Sequence, residues 1–194
     1  MTLEFHQTPL AGSFVIVPIS RADARGSFGR LFDETLFRER GLDPSLAQAS
    51  YSYNVAPGTL RGLHYQRDSW AETKLVRCTR GRVFDVIVDL RAGSPTRLGW
   101  FGVELDERTR HAVYVPDGFA HGFVTLTPDA EVHYQISTPY HPASGAGLRW
   151  DDPSLAIDWP LAPRVISDRD ASYALLDTAH PLMAETDPRW EGGP

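Results

Sequence analysis

The sequence is poor in cysteine and has no long hydrophobic run. Its single cysteine, Cys78, excludes a disulfide within the chain and is typical of a reducing compartment, so we expect a cytoplasmic protein. No apolar stretch approaches the ~20 residues that a membrane-spanning helix needs. The first twelve residues, MTLEFHQTPLAG, lack the charged and apolar regions of a signal peptide. We therefore expect no association with a membrane.

Positive charge is also scarce, and lysine is almost missing. The chain has 19 basic and 25 acidic side chains, a net charge of −6 and no long basic run, which disfavours nucleic acid as a partner. All the basic residues are arginine except Lys74. An ammonium is a compact point charge, whereas a guanidinium is a planar fork. Composition alone leaves two interpretations of Lys74 open, a functional need for a point charge and chance retention on a solvated face.

Short apolar segments separated by turn residues dominate the chain. In RVFDVIVDL (residues 82–90), apolar side chains on one face alternate with Asp85, Ile87 and Asp89 on the other, which predicts a strand with one face in a core. Only residues 33–42 and 171–178 look helical. Strands are predicted at residues 13–19, 27–33, 48–55, 59–66, 73–79, 82–90, 100–105, 111–115, 122–126 and 131–137.

This pattern predicts an all-β protein, an antiparallel sandwich or barrel with a few short helices. A parallel sheet would require helices between the strands, and the pattern does not provide them. The length of 194 residues and the 42% of hydrophobic residues indicate one domain, residues 1–194. We expect the barrel core at about residues 13–160, a C-terminal segment at 161–180 packing back on it, and a loosely ordered tail at 181–194.

The segment GTLRGLHYQ (residues 58–66) places two polar side chains, Arg61 and His64, in a predicted strand. Strict alternation would put them on opposite faces, one exposed and one in the core. Gly62 lies between them, and a glycine inside a strand often marks a bulge that redirects a side chain. With a bulge both could face one cavity, and the strand by itself does not decide between the two arrangements.

Three further polar residues are candidates for a site. His121 lies between Phe119 and Phe123, Tyr134 shares a strand face with apolar residues, and Asp170 precedes a predicted helix. Each also has a common structural explanation: a packed core histidine, a core tyrosine bonded to backbone, and a helix cap, for which Asp168 is equally suited.

His64, Glu72 and His121 are residue types that bind metal ions, so they are candidates for a metal site. Metal-binding barrels of this kind usually offer two histidines at alternate positions, but here the second position is Gln66. Without a third strong ligand we expect no tight divalent site. The sequence also lacks a GxSxG elbow, a P-loop and a dinucleotide fingerprint.

Seven segments in order resemble the dTDP-4-dehydrorhamnose 3,5-epimerase family, with compatible spacing from about residue 13 to residue 175. The resemblance implies a jelly-roll, cupin-type β-barrel that acts on nucleotide-linked 4-keto-6-deoxy sugars. The matching segments are DARGSF (23–28), GTLRGLHYQ (58–66), KLVRCTRGRVFDVIVDLRAGSPT (74–96), YVPDGFAHGF (114–123), EVHYQ (131–135), GLRWDDPSLAIDWP (147–160) and ISDRD (166–170).

The resemblance also implies roles for the candidate residues. His64 would remove the proton beside the C4 ketone, with Asp170 orienting its imidazole. Tyr134 would return a proton on the opposite face of the sugar. Lys74 would stabilise the enolate oxygen, which a point charge suits. Because the ketone itself makes the α-hydrogen acidic, this chemistry implies no cofactor and no metal.

Substrate binding is implied for a second group of residues. His121 and Arg61 would help around the sugar and the phosphates. Arg25 and Gln48 would hold the pyrophosphate and the nucleotide, with Arg25 reaching the site of a neighbouring subunit in a homodimer, and Phe28 would belong to the same substrate-binding group.

The chain departs from the family pattern at four places. Ser50 stands where the family usually has asparagine, Arg30 replaces a frequent glutamate, Gly145 replaces the usual glutamate before the GIRW-type motif, and DSWAE (residues 68–72) replaces PPHAQ. With these departures, the sequence defines the identity of the nucleotide and of the sugar less well than the type of reaction. Four hypotheses remain open. The first is a double epimerase at C3 and C5, and the second is an epimerase that acts only at C3 or only at C5, or that uses another nucleotide. The third is a metal-dependent cupin oxygenase or isomerase, and the fourth is a catalytically silent sugar-binding relative.

Overall fold

Two antiparallel sheets form the body of the protein. The structure is a computed structural model that describes residues 2–176. The six-stranded sheet has the order β1-β2-β10-β7-β12-β5, and the five-stranded sheet has the order β13-β6-β11-β8-β9. A separate hairpin pairs β3 with β4. The elements are β1 Leu3–Gln7, β2 Phe14–Pro18, β3 Ser20–Asp23, β4 Gly26–Gly29, α1 Glu34–Arg38, β5 Gln48–Asn54, β6 Leu60–Gln66, β7 Lys74–Arg80, β8 Arg82–Asp89, β9 Trp100–Asp106, β10 Ala112–Val115, β11 Phe119–Thr125, β12 Ala130–Ile136, β13 Gly145–Gly147 and α2 Asp168–Ala171.

This architecture confirms the predicted all-β, antiparallel jelly roll with short helices. Each of the ten predicted strands overlaps an observed one. The strand predicted at 27–33 ends early, at Gly29, because Asp33 caps α1 and accepts hydrogen bonds from the backbone amides of Thr35 and Leu36. Three strands were not predicted, namely β1, β3 and β13. Strand β3 is fully exposed, and the Gly-Ala-Gly sequence of β13 carries little strand propensity.

The main core fills the space between the two sheets. Each sheet supplies alternate side chains, and those that face inward are almost completely buried. The barrel interior is apolar where these residues pack, and the polar site residues occupy the rest of it. The inward residues include Val76, Val113 and Val132 of the larger sheet and Val83, Ile87 and Phe123 of the smaller one.

Part of each outer sheet face is also covered, which corrects the expectation of a single core face for β8. Val86 and Val88, on the outer face of β8, have no exposed surface because Leu148 and Leu155 from the chain after β13 pack over them. On the other sheet, α1 packs Phe37 against Tyr114 of β10. The two sheets are therefore held between outer layers, which fixes the strands that carry the site.

The C-terminal helix differs from its prediction. The helix lies at Asp168–Ala171, capped by Ser167, rather than at 171–178. Residues 173–176 are irregular, because Leu176 packs against the outer face of the smaller sheet while its amide bonds to Asp152. Residues 177 and 178, and the predicted tail at 181–194, lie outside the described residues. Among residues 2–176, no helix has the length and apolar character needed to cross a membrane.

Candidate active site

A cavity of about 320 Å³ opens between the two sheets. Six of the nine residues singled out from the sequence line it. A seventh, Asp170, lies behind the wall and contacts one of the six. The lining residues among the candidates are Gln48, Arg61, His64, Lys74, His121 and Tyr134.

A bulge in β6 brings Arg61 and His64 to the same cavity. His64 is opposite His121 on β11 and Arg61 is opposite Phe123, so that two residues of β6 face the single residue Gly122. This shift cancels the alternation that would otherwise separate two side chains three positions apart. The bulge that the sequence left open is therefore present, and the peptide bond between Gly62 and Leu63 is cis.

Gly62 is required at this position for two reasons. Its φ is +114°, and a Cβ atom would lie 2.7 Å from the Cα of Gly122 and from the carbonyl oxygen of His121. We predict that Gly62→Ala lowers the free energy of unfolding by about 3 kcal/mol, since backbone strain and overpacking add. Chemical denaturation measures this loss.

Gly26 provides the matched control for that substitution. Its φ is +128°, but nothing lies within 4 Å of the place where a Cβ would be built. Gly26→Ala should therefore report the cost of strain alone. Equal losses for the two variants would show that the close approach of Gly62 to β11 contributes nothing.

His64 and Asp170 form a hydrogen-bonded pair at the cavity wall. The Nε2 atom of His64 is 2.7 Å from Oδ1 of Asp170, and the amide of Gly62 donates to Oδ2 at 3.0 Å. The His64 side chain is 42% exposed, whereas that of Asp170 is only 5% exposed. Because the carboxylate accepts from Nε2, the ring proton resides there and Nδ1 is left as a proton acceptor.

Asp170 is held as a carboxylate. Burial disfavours its charge, but the hydrogen bonds from His64 and from the Gly62 amide outweigh that cost, so the pKa of Asp170 is below its ordinary value. Ser167 caps α2 by accepting from the Asp170 amide. Asp170 therefore fixes the orientation of the imidazole.

A second histidine–carboxylate pair lies deeper in the barrel. The Nε2 atom of His121 is 2.8 Å from Oδ2 of Asp85, and both side chains are at most 5% exposed. The ring of His121 packs edge-to-face on Tyr134, with centroids 6.0 Å apart. The two histidines are direct cross-strand partners, so both project from the smaller sheet into the same cavity.

Tyr134 projects into the cavity from the opposite sheet. Its hydroxyl lies 3.3 Å from Oγ of Ser52 on β5. Burial raises the pKa of Tyr134 above its ordinary value, so the group is a neutral phenol with a proton to donate. His64 and Tyr134 therefore approach the cavity from different sheets.

Lys74 places its ammonium in the same space. Its Nζ atom is 3.0 Å from Oε1 of Glu72 and 3.3 Å from the carbonyl oxygen of His64. The lysine side chain is 8% exposed, which rules out the interpretation of a lysine on a solvated face. In the sheet register Lys74 is opposite Ile136, two residues after Tyr134, so both polar groups share one face.

Arg61 and Gln48 lie at the cavity wall, and their polar groups are hydrogen-bonded to neighbouring residues. Arg61 donates from Nε to Oδ1 of Asn54 at 2.7 Å. Gln48 accepts from the amide of Tyr140 at 2.9 Å, which ties β5 to the segment after β12. Both side chains line the cavity.

Arg25 and Phe28 lie on the β3–β4 hairpin and are not among the residues that line this chain's cavity. Arg25 is 90% exposed and pairs with Asp23 at 2.6 Å. Phe28 is 69% exposed, which is unusual for a large apolar side chain on a strand. Within one chain these two candidates are therefore separate from the rest of the site.

The metal-ligand candidates do not converge in the described structure. His64 is bonded to Asp170, His121 to Asp85 and Glu72 to Lys74. Within residues 2–176, no group of three histidine, cysteine, aspartate or glutamate side chains is arranged to hold a metal ion.

Sequence reasoning missed several residues that the fold brings to the site. Asp85 was assigned only to a strand face, and its role as the partner of His121 depends on the pairing of β8 with β11. Arg169, in the short helix α2, and Tyr140, in the segment after β12, also line the cavity, and no local pattern predicts their position. For Arg169 the adjacent Asp170 was a usable signal, because the two lie in the first turn of the same short helix.

The departures from the family pattern fall in two places. Ser50, Glu72 and Gly145 line the cavity, so three of the four changes contact the space available to a substrate. Arg30 lies outside it, after the exposed hairpin, and pairs with Asp33.

A jelly-roll barrel with a histidine–aspartate pair, a partly buried phenol and a buried ammonium around one cavity defines an acid–base enzyme. A sequence model described as dTDP-4-dehydrorhamnose 3,5-epimerase matches residues 7–178. A dTDP-4-dehydrorhamnose 3,5-epimerase of Sinorhizobium fredii is 43% identical over 173 residues, which are 89% of each chain. A dTDP-4-dehydrorhamnose 3-epimerase of Streptomyces niveus is 42% identical over 88% of this chain and 82% of its own.

Solved structures agree. The structure of dTDP-6-deoxy-D-glucose-3,5-epimerase from Legionella pneumophila, in complex with dTDP-4-keto-L-rhamnose, has a TM-score of 0.85 and 38% identity and covers 92% of this chain and 95% of that one. This chain belongs to the dTDP-4-dehydrorhamnose 3,5-epimerase family, and it is an isomerase.

Proposed function

We propose that this enzyme inverts both C3 and C5 of a dTDP-linked 4-keto-6-deoxyhexose, by proton abstraction and reprotonation through an enolate. One observation carries the proposal: His64 and Tyr134 reach the same cavity from opposite sheets, with the ammonium of Lys74 beside them. A base and an acid on opposite sides of a bound sugar are what inversion at carbon requires.

The first step is abstraction of the proton next to the ketone. His64 accepts it on Nδ1, while Nε2 stays bonded to the carboxylate of Asp170. The electron pair of the C–H bond moves into an enolate, whose oxygen takes the negative charge. Asp170 stabilises the imidazolium that forms, since it remains ionised throughout.

Lys74 stabilises the enolate oxygen in this mechanism. A buried ammonium acts in a poorly solvated site, where a fixed charge is worth more than in water. It is held by Glu72 and by the carbonyl of His64, so little reorganisation is needed when charge develops.

Tyr134 completes the inversion by donating its proton to carbon from the opposite face. Its raised pKa keeps the proton on the phenol until the enolate accepts it. The net change is one proton gained by His64 and one lost by Tyr134, and exchange with water restores both groups. The same cycle serves the second carbon, because C3 and C5 both flank the ketone.

The cationic side of the cavity is suited to the diphosphate. Arg61 and Arg169 line it, and guanidinium groups bind phosphate oxygens in bidentate geometry. Gln48 and His121 remain proposed contacts to the nucleotide and the sugar.

A homodimer accounts for the exposed hairpin. Arg25 and Phe28 are accessible on β3–β4 rather than in this chain's cavity, so they are available to a neighbouring subunit. We include them in the substrate site on that basis, with Arg25 contacting the diphosphate in the partner's cavity. We also propose that residues 1–194 form one domain and that the enzyme works in the cytoplasm, where the buried Cys78 stays reduced.

The decisive experiment is proton NMR of the dTDP-4-keto sugar with the enzyme in heavy water. Deuterium incorporation at both C3 and C5 supports the double epimerase. Absence of incorporation with several nucleotide sugars would refute epimerisation by this protein. The same assay with a chelator tests the metal-dependent alternative, which requires that activity be lost.

A C3-only epimerase is the second candidate. It is favoured by the similarity to the Streptomyces niveus 3-epimerase, which matches this chain about as well as the double epimerase does. Deuterium at C3 alone would select it.

Tyr134→Phe should separate proton removal from inversion. His64 can still remove a proton and return deuterium on the same face, so we expect substrate that is deuterated without inversion and product formed about 100-fold more slowly. NMR resolves both species. Tyr51→Phe on the exposed part of β5 is the control, and equal loss in both variants would contradict the assignment.

Mixing two variants tests whether Arg25 acts across the dimer. Alone, Arg25→Ala should raise KM about 10-fold, because one charged phosphate contact is lost. In a heterodimer with His64→Ala, one site combines the intact His64 of one chain with the intact Arg25 of the other. Initial rates of the refolded mixture should therefore recover the low wild-type KM.

If Arg25 acts within its own chain, the mixture should have a different KM. If Arg25 serves its own chain's cavity, the mixture shows only the high KM of Arg25→Ala. Light scattering establishes that the mixture is dimeric, and a monomer would contradict the proposal directly.

A further inference from the structure

The ammonium of Lys74 has two fixed partners and one remaining N–H. One N–H donates to Oε1 of Glu72 at 3.0 Å and a second to the carbonyl oxygen of His64 at 3.3 Å. An ammonium carries three donors, so one is left for a ligand in the cavity that Lys74 lines. Its direction is set by the other two contacts.

Glu72 is itself fixed on its far side. Its Oε2 accepts from Nε2 of Gln66 at 2.8 Å, so each carboxylate oxygen has a partner. Gln66 is 3% exposed and bonds further to the carbonyls of Trp70 and Pro139. It also accepts from the amide of His141 at 2.6 Å. The position of the carboxylate is therefore determined by the backbone on both sides of Tyr140.

We infer that Glu72 is a positioning residue for Lys74, and that it acts through the location of its oxygen rather than through its charge. This inference rests on the proposed function of Lys74 toward the enolate. Glu72 anchors the ammonium at one fixed point, and the His64 carbonyl anchors it at a second, next to the proposed base. The third N–H is thereby aimed at the ketone oxygen.

Charge alone is the competing explanation, and the contacts argue against it. The attraction within a buried ion pair is largely offset by the cost of removing both charges from water. Electrostatic catalysis, by contrast, depends steeply on where the donor lies relative to the developing oxyanion. A neutral oxygen at the position of Oε1 can meet that need, because an amide oxygen accepts an N–H of Lys74 as a carboxylate oxygen does.

Three substitutions separate position from charge. Glu72→Gln keeps an oxygen in place and removes the charge, so we expect kcat within about 3-fold of wild type. Glu72→Asp keeps the charge but withdraws it by one methylene, and Glu72→Ala removes both, so we expect kcat to fall about 10-fold and about 100-fold, respectively. KM should change less than about 3-fold in all three, because a positioning residue acts on the transition state.

The assay is the deuterium exchange and turnover of the 4-keto sugar, with dTDP binding and thermal unfolding measured in parallel. Glu104→Gln is the control, since it removes a half-exposed carboxylate from the Arg82 pair outside the cavity. Wild-type rates in Glu72→Ala, or loss in Glu72→Gln with retention in Glu72→Asp, would overturn the inference. If Glu72→Ala fails to fold, the order of the other two variants decides. An inactive wild type would refute the proposed function instead.

Discussion

Replacing His64 with alanine should reduce deuterium incorporation and product formation about 1,000-fold or more, the upper range for loss of a general base. The imidazole is the only proposed acceptor for the substrate proton, and its Nε2 is already committed to Asp170. Removing it leaves water as the base. Single-turnover NMR in heavy water measures the remaining rate.

The controls for His64→Ala address binding and folding. The variant should bind dTDP as wild type does, because the diphosphate contacts lie elsewhere. His6→Ala removes a half-exposed histidine that pairs with Glu4 outside the cavity, and it should exchange at the wild-type rate. Normal exchange by His64→Ala would assign the base to another group.

Lys74→Met should lower kcat by about 100-fold to 1,000-fold, as expected when a preorganised donor to a developing oxyanion is removed. Methionine approximates the length of the side chain without its charge, so the cavity keeps its shape. KM should change far less than kcat, because the ammonium matters most when the enolate forms. Steady-state kinetics with a coupled reductase measures both constants.

Two companion variants make the Lys74 result specific. Lys74→Met leaves the carboxylate of Glu72 buried without its cation, which is destabilising by about 3 kcal/mol or more. The double variant with Glu72→Gln removes that charge and should recover stability without recovering kcat. Lys74→Arg retains a positive charge but replaces a point charge with a planar fork, so it should remain impaired. Full activity in Lys74→Arg would reduce the role of Lys74 to its charge.

Much of the fold was predictable from local pattern. Period-two alternation and turn residues located ten strands, because side chains on a strand point to opposite faces. Of the three missed strands, β3 and β13 lacked that signal, whereas β1 alternates Leu3 and Phe5 with polar residues and was predictable. The C-terminal helix was misplaced because the apolar pair Leu175 and Leu176 suggested a helical face, whereas Leu176 packs against the outer face of a sheet far away in sequence.

The candidate site also contains some residues that the local sequence predicted and others that it did not. His64, Lys74 and Tyr134 were recognisable by their residue types and by the ordered motifs around them, and all three line one cavity. Asp85 and Glu72 were not recognisable as partners of His121 and Lys74. The register of β8 against β11 sets the Asp85–His121 pair, and Gln66 with the segment after β12 fixes Glu72 beside Lys74. Neither contact can be predicted from the local sequence.

The amino-acid order was enough to establish an antiparallel β-protein of this epimerase family with a histidine, a lysine and a tyrosine as its reactive groups. Such information is carried by residue type and spacing. The three-dimensional arrangement alone decided that Arg61 and His64 share a cavity, through the bulge at Gly62, and that His121 has Asp85 as its partner. Those features depend on one strand meeting another, and a distance in space cannot be read from a distance along the chain.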